Sequence, residues 1–398
     1  MNTFATNLLK FRNKLKNFNK AEQNVLAFSD NIPPVWTPRA YKNLANEGYK
    51  KNVIAYRAIN LISKGLASVP LKLFNLETEL NNNEHVIANL LAHPNSSQTR
   101  AEFFETITGH LLMSGNAYVY LHYESNEFPL AIYTLRPDRV KVKADKSGKI
   151  TGYDYGQNEY IPCREEKTGK KQILHLKFFN PLDDFYGLSP IEAAAIAIDQ
   201  YNAVSSHNLS LLQNGGRPSG CLILKNKEFM TEQQKQTLRT SIKKSYEGAL
   251  NAGKTMVLEG DFEWKEMGLS PKDLDFVTGK TFSAREISQA FGVPPMLVGV
   301  PGDSTFSNYR EARYHLWEDT ILPLLDYILG QLNGTLIDTE NPDGLAINYN
   351  EDEIYALSLK RDGVWKRISE AEFLTINEKR QALGFVPIEG GDEIRRDK

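Results

Sequence analysis

The sequence contains only two cysteines, Cys163 and Cys221, and neither belongs to a Cys-x-x-Cys pair. That number supports neither the disulfide framework of a small secreted domain nor a cysteine-rich zinc site. Long apolar runs are also missing: the longest, Ala193 to Ile198, is far shorter than the ~20 residues that cross a bilayer. No hydrophobic stretch typical of a secretory leader follows Met1. We therefore expect a soluble protein of a reducing intracellular compartment.

The chain also lacks a net charge of either sign. Its 398 residues include 47 Lys and Arg against 49 Asp and Glu, which leaves a formal charge of −2. This balance excludes a generally basic nucleic-acid-binding protein. The hydrophobic fraction of 41% is ordinary for globular proteins and excludes disorder of the whole chain. At roughly 100–200 residues per domain, we expect two or three domains.

Signatures of catalysis and metal binding are scarce. The sequence has no His-Glu-x-x-His and no Gly-x-Ser-x-Gly motif, and its seven histidines have no ligand-like spacing. Asp183 and Asp184 are adjacent, which fits either a carboxylate pair for a divalent cation or a solvated turn. We predict no catalytic residue, no metal and no cofactor.

One motif requires a choice between two interpretations. Residues Gly248 to Thr255 match the Walker A spacing GxxxxGK[ST] letter for letter. A phosphate-binding loop needs a strand before it and a helix after it, because the helix N-terminus holds the anion. Here a helix is predicted from Thr231 to Glu247 and a strand from Thr255 to Glu259, which is the reverse order. We predict a helix-to-strand turn, and keep a nucleotide-hydrolysing packaging protein as the alternative.

The first half of the chain predicts an α+β domain with antiparallel strands. Apolar residues at helical spacing indicate helices over Val53 to Ala67 and over Thr99 to Met113, the second ending at Gly115. Alternating apolar residues between Pro, Gly and Asp indicate strands. The predicted strands are Leu71 to Phe74, Ala117 to Tyr123, Leu130 to Leu135, Val140 to Lys143, Thr151 to Tyr155 and Ile173 to Phe179.

Helices dominate the second half. Ser189-Pro190 and Ser270-Pro271 each combine a capping hydroxyl with a proline at the first helical position. They begin a helix to Asn214 and a second helix, interrupted at Gly279, that ends at Phe291-Gly292. Between them we predict a strand–helix–strand unit: a strand over Gly220 to Lys225, a helix capped by the residues Thr231 to Gln234, and a strand over Thr255 to Glu259. A small-residue loop covers 299–308, and Asn308 caps a helix to Leu332 in which Pro323 should cause a kink. A strand (Leu345 to Tyr349), a charged helix (Asp352 to Arg361) and a short helix capped by Thr375 follow.

Residues 1–20 form a basic segment with apolar residues at helical spacing, from Phe4 to Phe18. We predict a partly ordered terminal helix with a solvated basic face. A segment of this kind also fits binding to an anionic membrane surface, which is a third hypothesis for the function.

Four motifs, in this order, resemble the portal proteins of tailed phages of the HK97 type, which also occur in prophages and gene transfer agents. The motifs are Tyr186-Gly-Leu-Ser-Pro-Ile-Glu192, Asn214-Gly-Gly-Arg-Pro-Ser-Gly220, the run from Phe282 to Pro295, and Leu374-Thr-Ile-Asn-Glu378. The resemblance covers about 50 to 392.

The resemblance implies a portal fold with a mixed α/β wing, a long-helix stem, a small strand–helix–strand clip, a kinked helix and a reduced crown. The corresponding divisions are an N-terminal basic segment (1–49), the wing (50–188), stem helix 1 (189–215), the clip (216–268), stem helix 2 (269–292), the tunnel loop (293–308), the long kinked helix (309–334) and a C-terminal wing or crown segment (335–398).

The resemblance further implies a non-enzymatic ring, usually of twelve subunits, at one capsid vertex of the virion, assembled in the host bacterial cytoplasm. Double-stranded DNA would pass through it without sequence specificity. Its implied partners are further copies of itself, the terminase large subunit, a head-completion or adaptor protein and the major capsid protein, with no membrane. The implied channel-facing residues are Asp303, Ser304, Thr305, Phe306, Ser307 and Asn308.

A protein through which DNA passes must bind the DNA only weakly, because each cation held on a phosphate adds affinity through counterion release. The near-neutral chain and the cation-free loop 303–308 fit that requirement. Lys280 and Arg285 on the second stem helix are the candidates for weak phosphate contacts, with solvated or intersubunit ion-pair roles as alternatives.

Overall fold

Helices and antiparallel strands alternate through the first half of the chain in a computed structural model. The model describes residues 40–75, 85–124, 128–157, 159–165, 169–213, 220–224, 231–234, 236, 237, 240, 262–266, 276–302, 306–337, 344–383 and 385–393. The basic segment 1–20 lies outside them.

The helices are α1 (Tyr41–Asn43, continued by a π-helical segment, Leu44–Lys50), α2 (Val53–Ala67), α3 (Val86–Ala92), α4 (Arg100–Ser114), α5 (Pro190–Ala193), α6 (Ala195–Gln213), α7 (Phe276–Ala290), α8 (Phe306–His315, continued by a π-helical segment, Leu316–Ile321), α9 (Leu322–Leu336), α10 (Ser358–Glu370) and α11 (Ile376–Ala382).

The strands are β1 (Leu71–Asn75), β2 (Asn116–His122), β3 (Ala131–Leu135), β4 (Val140–Ala144), β5 (Ile150–Tyr155), β6 (Glu159–Pro162), β7 (Ile173–Lys177), β8 (Gly220–Leu224), β9 (Phe262–Glu266) and β10 (Leu345–Tyr349). Short 3-10 turns lie at Pro137–Arg139, Pro295–Val298, Glu351–Glu353 and Tyr355–Leu357.

Capping side chains begin α2 and α4. Asn52 is buried, and its Oδ1 accepts hydrogen bonds from the amides of Ile54 and Ala55 at 3.1 and 3.0 Å. Thr99 and Glu102 form a reciprocal capping box, and Gly115 ends α4 in the left-handed conformation, at φ 70°. These contacts satisfy amides that a helix leaves without partners at its start. The two helices predicted here are confirmed.

Two antiparallel sheets of alternating apolar residues follow, in the orders β3-β2-β7 and β4-β5-β6. The first packs beneath α4, and the second contributes to a smaller core around Tyr118, Tyr153 and Ile161. The His175 ring stacks on Tyr118 with centroids 4.3 Å apart. The predicted α+β class with antiparallel strands is confirmed, whereas the short elements α1, α3 and β6 were not predicted.

The C-terminal part of the chain completes this half of the molecule. Strand β10 pairs antiparallel with β1, from Leu71 opposite Tyr349 to Asn75 opposite Leu345. Leu73 and Ile347 are buried opposite each other. Both strands were predicted, but their pairing was not.

A tight backbone crossing joins the sheets to the helices that follow. A Cβ atom placed on Gly187 would lie 2.2 Å from the carbonyl oxygen of Gly115. The Asn116 Oδ1 accepts from the Gly187 amide at 2.8 Å and lies 3.0 Å from the His175 Nε2. The chain is therefore fixed at the point where it leaves β7 for α5.

The two predicted stem helices each differ from the prediction in one detail. The predicted helix from 189 begins at the Ser189 cap and Pro190 but is broken at Ala194 into α5 and α6. Helix α7 continues through Gly279, so the predicted interruption there is wrong. A Cβ at Gly279 would meet nothing within 4 Å, and a helix-interior glycine costs only about 1 kcal/mol, which packing offsets.

The strand–helix–strand unit is described in part. Strand β8 is confirmed and pairs antiparallel with β9, which was not predicted. Thr231 and Gln234 cap the start of helical residues 232–234, as expected. The predicted strand 255–259 and the Walker-like residues 248–255 lie outside the described residues.

In the C-terminal segment, the predicted helix Asp352 to Arg361 is wrong in its bounds. Asn350 caps a 3-10 turn at Glu351–Glu353, and the helix proper is α10, Ser358–Glu370. Acidic residues after a capping side chain fit a 3-10 turn as well as an α-helix. The predicted capped helix is confirmed as α11, where Thr375 and Glu378 form a capping box.

Candidate channel site

Helices α6 and α7 lie side by side and run antiparallel. Ser283 Oγ donates to Gln200 Oε1 at 3.3 Å, and the rings of Phe276 and His207 lie 4.8 Å apart. As α6 advances from 200 to 207, its contacts on α7 go back from 283 to 276. These two predicted stem helices therefore form a helical hairpin that leads into the predicted channel loop.

The Lys280 side chain contacts an aromatic ring within this hairpin. Its ammonium nitrogen lies 4.7 Å from the centroid of the Tyr201 ring on α6. A cation over an aromatic face is attracted by the ring quadrupole. The structure therefore gives this candidate phosphate contact a partner in its own chain.

Arg285 is also turned toward its own chain. Its Nη2 donates to the carbonyl oxygen of Pro301 at 3.2 Å. A Cβ on Gly302 would lie 2.5 Å from that Nη2, and Gly302 has φ 151°, so a side chain there would be strained as well as crowded. The Arg285 guanidinium thus fastens the loop to α7.

The start of the loop is packed and hydrogen-bonded. Gly292 ends α7 at φ 66°, and its carbonyl accepts from Thr320 Oγ1 at 2.8 Å. The Val293 amide donates to Ser288 O at 2.9 Å, and the Val300 amide donates to Pro295 O at 3.1 Å. Val293 and Val300 are buried. Residues 292–302 are therefore held in place by contacts on both sides of the loop.

The predicted loop residues fall into two groups. Asp303, Ser304 and Thr305 lie outside the described residues. Phe306, Ser307 and Asn308 form the first turn of α8, so the helix begins before the predicted Asn308 cap, and those three residues are helical rather than loop. Residue type alone fixes the start of a helix only to within one or two residues, because residues that often cap helices also occur inside the first turn.

The long helix after the loop contains a π-helical segment in front of Pro323. Proline has no amide hydrogen, and here the Leu322 amide donates to Trp317 O across the wider turn. The predicted helix 309–334 extends from Phe306 to Leu336 through α8, the π segment and α9. The irregularity expected at Pro323 lies in the turn before it.

Sequence reasoning missed the residues that support the loop. The loop is held by the contact of Arg285 with Pro301 and Gly302 and by the hydrogen bond from Thr320 to Gly292. Each contact joins positions that are distant in sequence, so no local spacing could indicate it. The available signal was the string Gly299-Val-Pro-Gly302, whose glycines point to unusual backbone angles.

Within the described ranges, no group of three or more His, Cys, Asp or Glu side chains could hold a metal ion. None of the described helices is long and apolar enough to cross a membrane. The contacts described at this site are those of the Arg285 guanidinium and the Thr320 hydroxyl with backbone oxygens of the loop.

Comparison with known proteins agrees with this architecture. The family model of the phage portal protein matches residues 54–384. The portal protein of Enterobacteria phage HK97 is 28% identical over 352 residues, which are 86% of this chain and 80% of that protein.

Two solved structures match more of the chain. One is the neck of an empty GTA particle computed with C6 symmetry, with a TM-score of 0.68. The other is the neck of a native GTA particle computed with C12 symmetry, with a TM-score of 0.65. Each is 38% identical and covers 89% of this chain and 96% of its own. The family model spans well over half of this sequence, so this chain belongs to the phage portal protein family.

Proposed function

We propose that this chain assembles into a homo-oligomeric ring, a dodecamer, at one capsid vertex, and that double-stranded DNA enters and leaves through its axial channel. Family membership supports this function, as does the 38% identity to chains of GTA necks computed with C6 and C12 symmetry. The ring would assemble in the host bacterial cytoplasm and remain in the virion.

The observation that carries the proposal is the apolar surface of the helical hairpin. Leu209 and Leu212 on α6 and Val277 and Phe282 on α7 are exposed in the single chain. Large apolar side chains grouped on one pair of helices mark an interaction surface. A head-to-tail contact repeated around an axis would cover them and close a ring.

The proposed anatomy keeps the divisions drawn from the resemblance: wing 50–188, stem 189–215 and 269–292, clip 216–268, tunnel loop 293–308, long helix 309–334 and C-terminal wing or crown 335–398. Because Phe306, Ser307 and Asn308 are helical, the part of the loop that would face DNA is centred on Asp303 to Thr305, and those three residues begin the helix that follows it.

Lys280 and Arg285 then support the channel instead of touching DNA, because each cation has a partner in its own chain. Few free cations at the channel would leave DNA weakly held and able to move. The function needs no catalytic residue, metal or cofactor of this chain.

The proposed partners follow from the same role. The clip would meet the terminase large subunit during packaging and a head-completion or adaptor protein afterwards, while the wing would meet the major capsid protein.

Electron microscopy of the purified protein tests the ring. We expect cyclic particles with an axial hole, and fewer of them for Phe282→Asp than for the control Leu130→Asp, which changes an exposed leucine away from the hairpin. Uniformly monomeric particles across a range of protein and salt concentrations would contradict the proposal.

An ATPase assay tests the alternative raised by residues 248–255. We expect no turnover above background from the pure protein. Turnover that Lys254→Ala abolishes would instead establish a nucleotide-hydrolysing protein.

A further inference from the structure

A cleft with a basic rim lies between α2 and the helix formed by α8 and its π segment. Its cavity volume is about 580 Å³, and its rim carries Arg57, Lys64 and Arg313. Leu61 and the buried Trp317 contribute to an apolar floor. We call this feature the basic cleft.

No carboxylate is among the side chains that line the basic cleft. Within the described part of the chain, Arg57, Lys64 and Arg313 make no ion pair or hydrogen bond through their side chains. All three side chains are exposed. Uncompensated cations around an apolar floor favour an occupant that is both acidic and apolar.

A loop elsewhere on the same chain has that composition. Residues 179–186, which we call the acidic loop, connect β7 to α5 and read Phe-Asn-Pro-Leu-Asp-Asp-Phe-Tyr. Leu182 is 94% exposed and Phe179 is 85% exposed, the two highest values among the large hydrophobic side chains described. Asp183 and Asp184 stand beside them, and neither carboxylate forms an ion pair within the described residues.

Hydrogen bonds hold the acidic loop in one conformation. Asn180 Oδ1 accepts from the Leu182 amide at 3.0 Å, and its Nδ2 donates to Tyr186 O at 3.0 Å. Asp183 Oδ1 accepts from the amides of Phe185 and Tyr186 at 2.7 and 3.0 Å. Lys177 Nζ donates to the backbone oxygen of Asp184. A loop already fixed in this way loses little entropy on binding.

We propose that the acidic loop of one copy of this chain docks into the basic cleft of the next copy in the ring. Leu182 and Phe179 would cover the apolar floor, and the Asp184 carboxylate would meet the arginines of the rim. The proposal rests on the proposed function, since it needs a ring in which every copy offers one loop and one cleft.

The occupant is a second copy because complementary surfaces occur on one chain and are not joined within it. In the single chain the loop tip remains exposed. Distinct, complementary patches on one molecule give head-to-tail contacts, which close into rings when the rotation between copies permits. A DNA backbone would use the cations but would leave the apolar floor and the apolar loop tip uncovered.

Disulfide trapping tests the contact directly. In a Cys163→Ser, Cys221→Ser background, Leu182→Cys is combined with Tyr309→Cys, since Tyr309 is exposed and lines the cleft. We expect a ladder of covalent oligomers from oxidised rings. Leu182→Cys combined with Tyr355→Cys, another highly exposed tyrosine, is the matched control and should give none.

Charge reversal tests the electrostatic half of the contact. Asp184→Arg and Arg57→Asp should each raise the protein concentration for half-maximal ring assembly about tenfold, because like charges then face each other. The double variant should recover most of that loss. Asp183 is left unchanged because its carboxylate shapes the loop.

The outcomes separate this inference from the proposed function. Rings that form without the Leu182–Tyr309 ladder, and that Asp184→Arg does not weaken, overturn the docking contact and leave the ring standing. Failure of the unchanged protein to form rings overturns both. If Arg57→Asp lowers affinity for duplex DNA but leaves assembly unchanged, the cleft is a phosphate-binding surface and the docking contact is wrong.

Discussion

At the scale of single residues, Asn116 and His175 together fix the backbone where the chain leaves the sheet at Gly187. Asn116 Oδ1 accepts from the Gly187 amide, and the same oxygen lies 3.0 Å from His175 Nε2. Burial, and then the charges of Lys177 and Lys171, lower the pKa of His175 from about 6.5 to about 3. The ring therefore remains neutral in the folded protein, where its N–H can donate to the amide oxygen.

This histidine makes stability depend on pH. Because the pKa of His175 is lower in the folded chain, the unfolded chain binds the extra proton below pH 6.5. The contribution of this residue to the free energy of unfolding then falls by about 1.4 kcal/mol per pH unit from there toward pH 3. Urea unfolding at pH 7.5, 6 and 5 measures the slope. His175→Gln should make the slope of the free energy of unfolding against pH shallower by the equivalent of one bound proton. Equal slopes in the two proteins would contradict this account.

A second prediction concerns the crossing of two glycines. Gly187→Ala should lower the free energy of unfolding by about 2–4 kcal/mol, because the new methyl group would overlap backbone oxygens that cannot move independently. Gly109→Ala, in α4 with nothing within 4 Å, is the control and should stabilise by about 0.5–1 kcal/mol. Thermal unfolding of both variants decides, and similar melting temperatures would refute the crossing as a constraint.

At the scale of elements, local patterns predicted what local forces determine. The capped helices α2, α4 and α11 and most strands of the sheets were predicted because their apolar spacing and their caps agree. The elements missed, α1, α3, β6 and β9, are so short that hydrophobic periodicity is hard to detect in them. The interruption predicted at Gly279 was wrong because the packing of α7 against α6 outweighs the low helix propensity of glycine.

The candidate site was less predictable, since its contacts are not local. Lys280 and Arg285 were predicted as possible phosphate contacts. In the structure they contact the Tyr201 ring and the Pro301 carbonyl oxygen, which belong to other segments of the chain. A sequence shows which charges exist, whereas the fold decides which of them remain available.

Arg285 gives an element-scale prediction about the loop. Arg285→Ala removes the hydrogen bond to Pro301 O, so amide exchange in peptides covering 296–302 should become faster. Lys280→Ala, which removes a cation from the same helix without touching the loop, should leave that exchange unchanged. Hydrogen exchange measured by mass spectrometry compares the two variants. An equal increase in exchange in both would show that the loop depends on the charge of the helix and not on the hydrogen bond from Arg285.

At the scale of the whole molecule, the near-zero net charge acquires a structural meaning. Several cations of the chain are used internally, by an aromatic ring at Lys280 and by backbone oxygens at Arg285 and Lys177. Arg57, Lys64 and Arg313 at the basic cleft have no ion-pair partner among the described residues, and they adjoin an apolar floor. The composition alone could not distinguish these uses, because it counts charges without placing them.

The whole fold also depends on its C-terminal part. A chain ending at residue 337 would lose β10 and leave β1 without its partner and Leu73 uncovered. We expect that variant to be largely insoluble, whereas removal of residues 394–398 alone should be tolerated. Soluble yield and circular dichroism compare the two, and a well-folded protein ending at 337 would disprove the dependence.

The β1–β10 pairing has a consequence in time. Leu71 leaves the ribosome about 280 residues before its partner Tyr349, an interval of roughly 15–55 s at 5–20 residues per second. Throughout that interval the nascent chain keeps an open strand edge, so its folding is late and of high contact order. The β1–β10 sheet can therefore form only after strand β10 has left the ribosome. In the ring that we propose, each subunit would complete this part of its fold before it joins its neighbours.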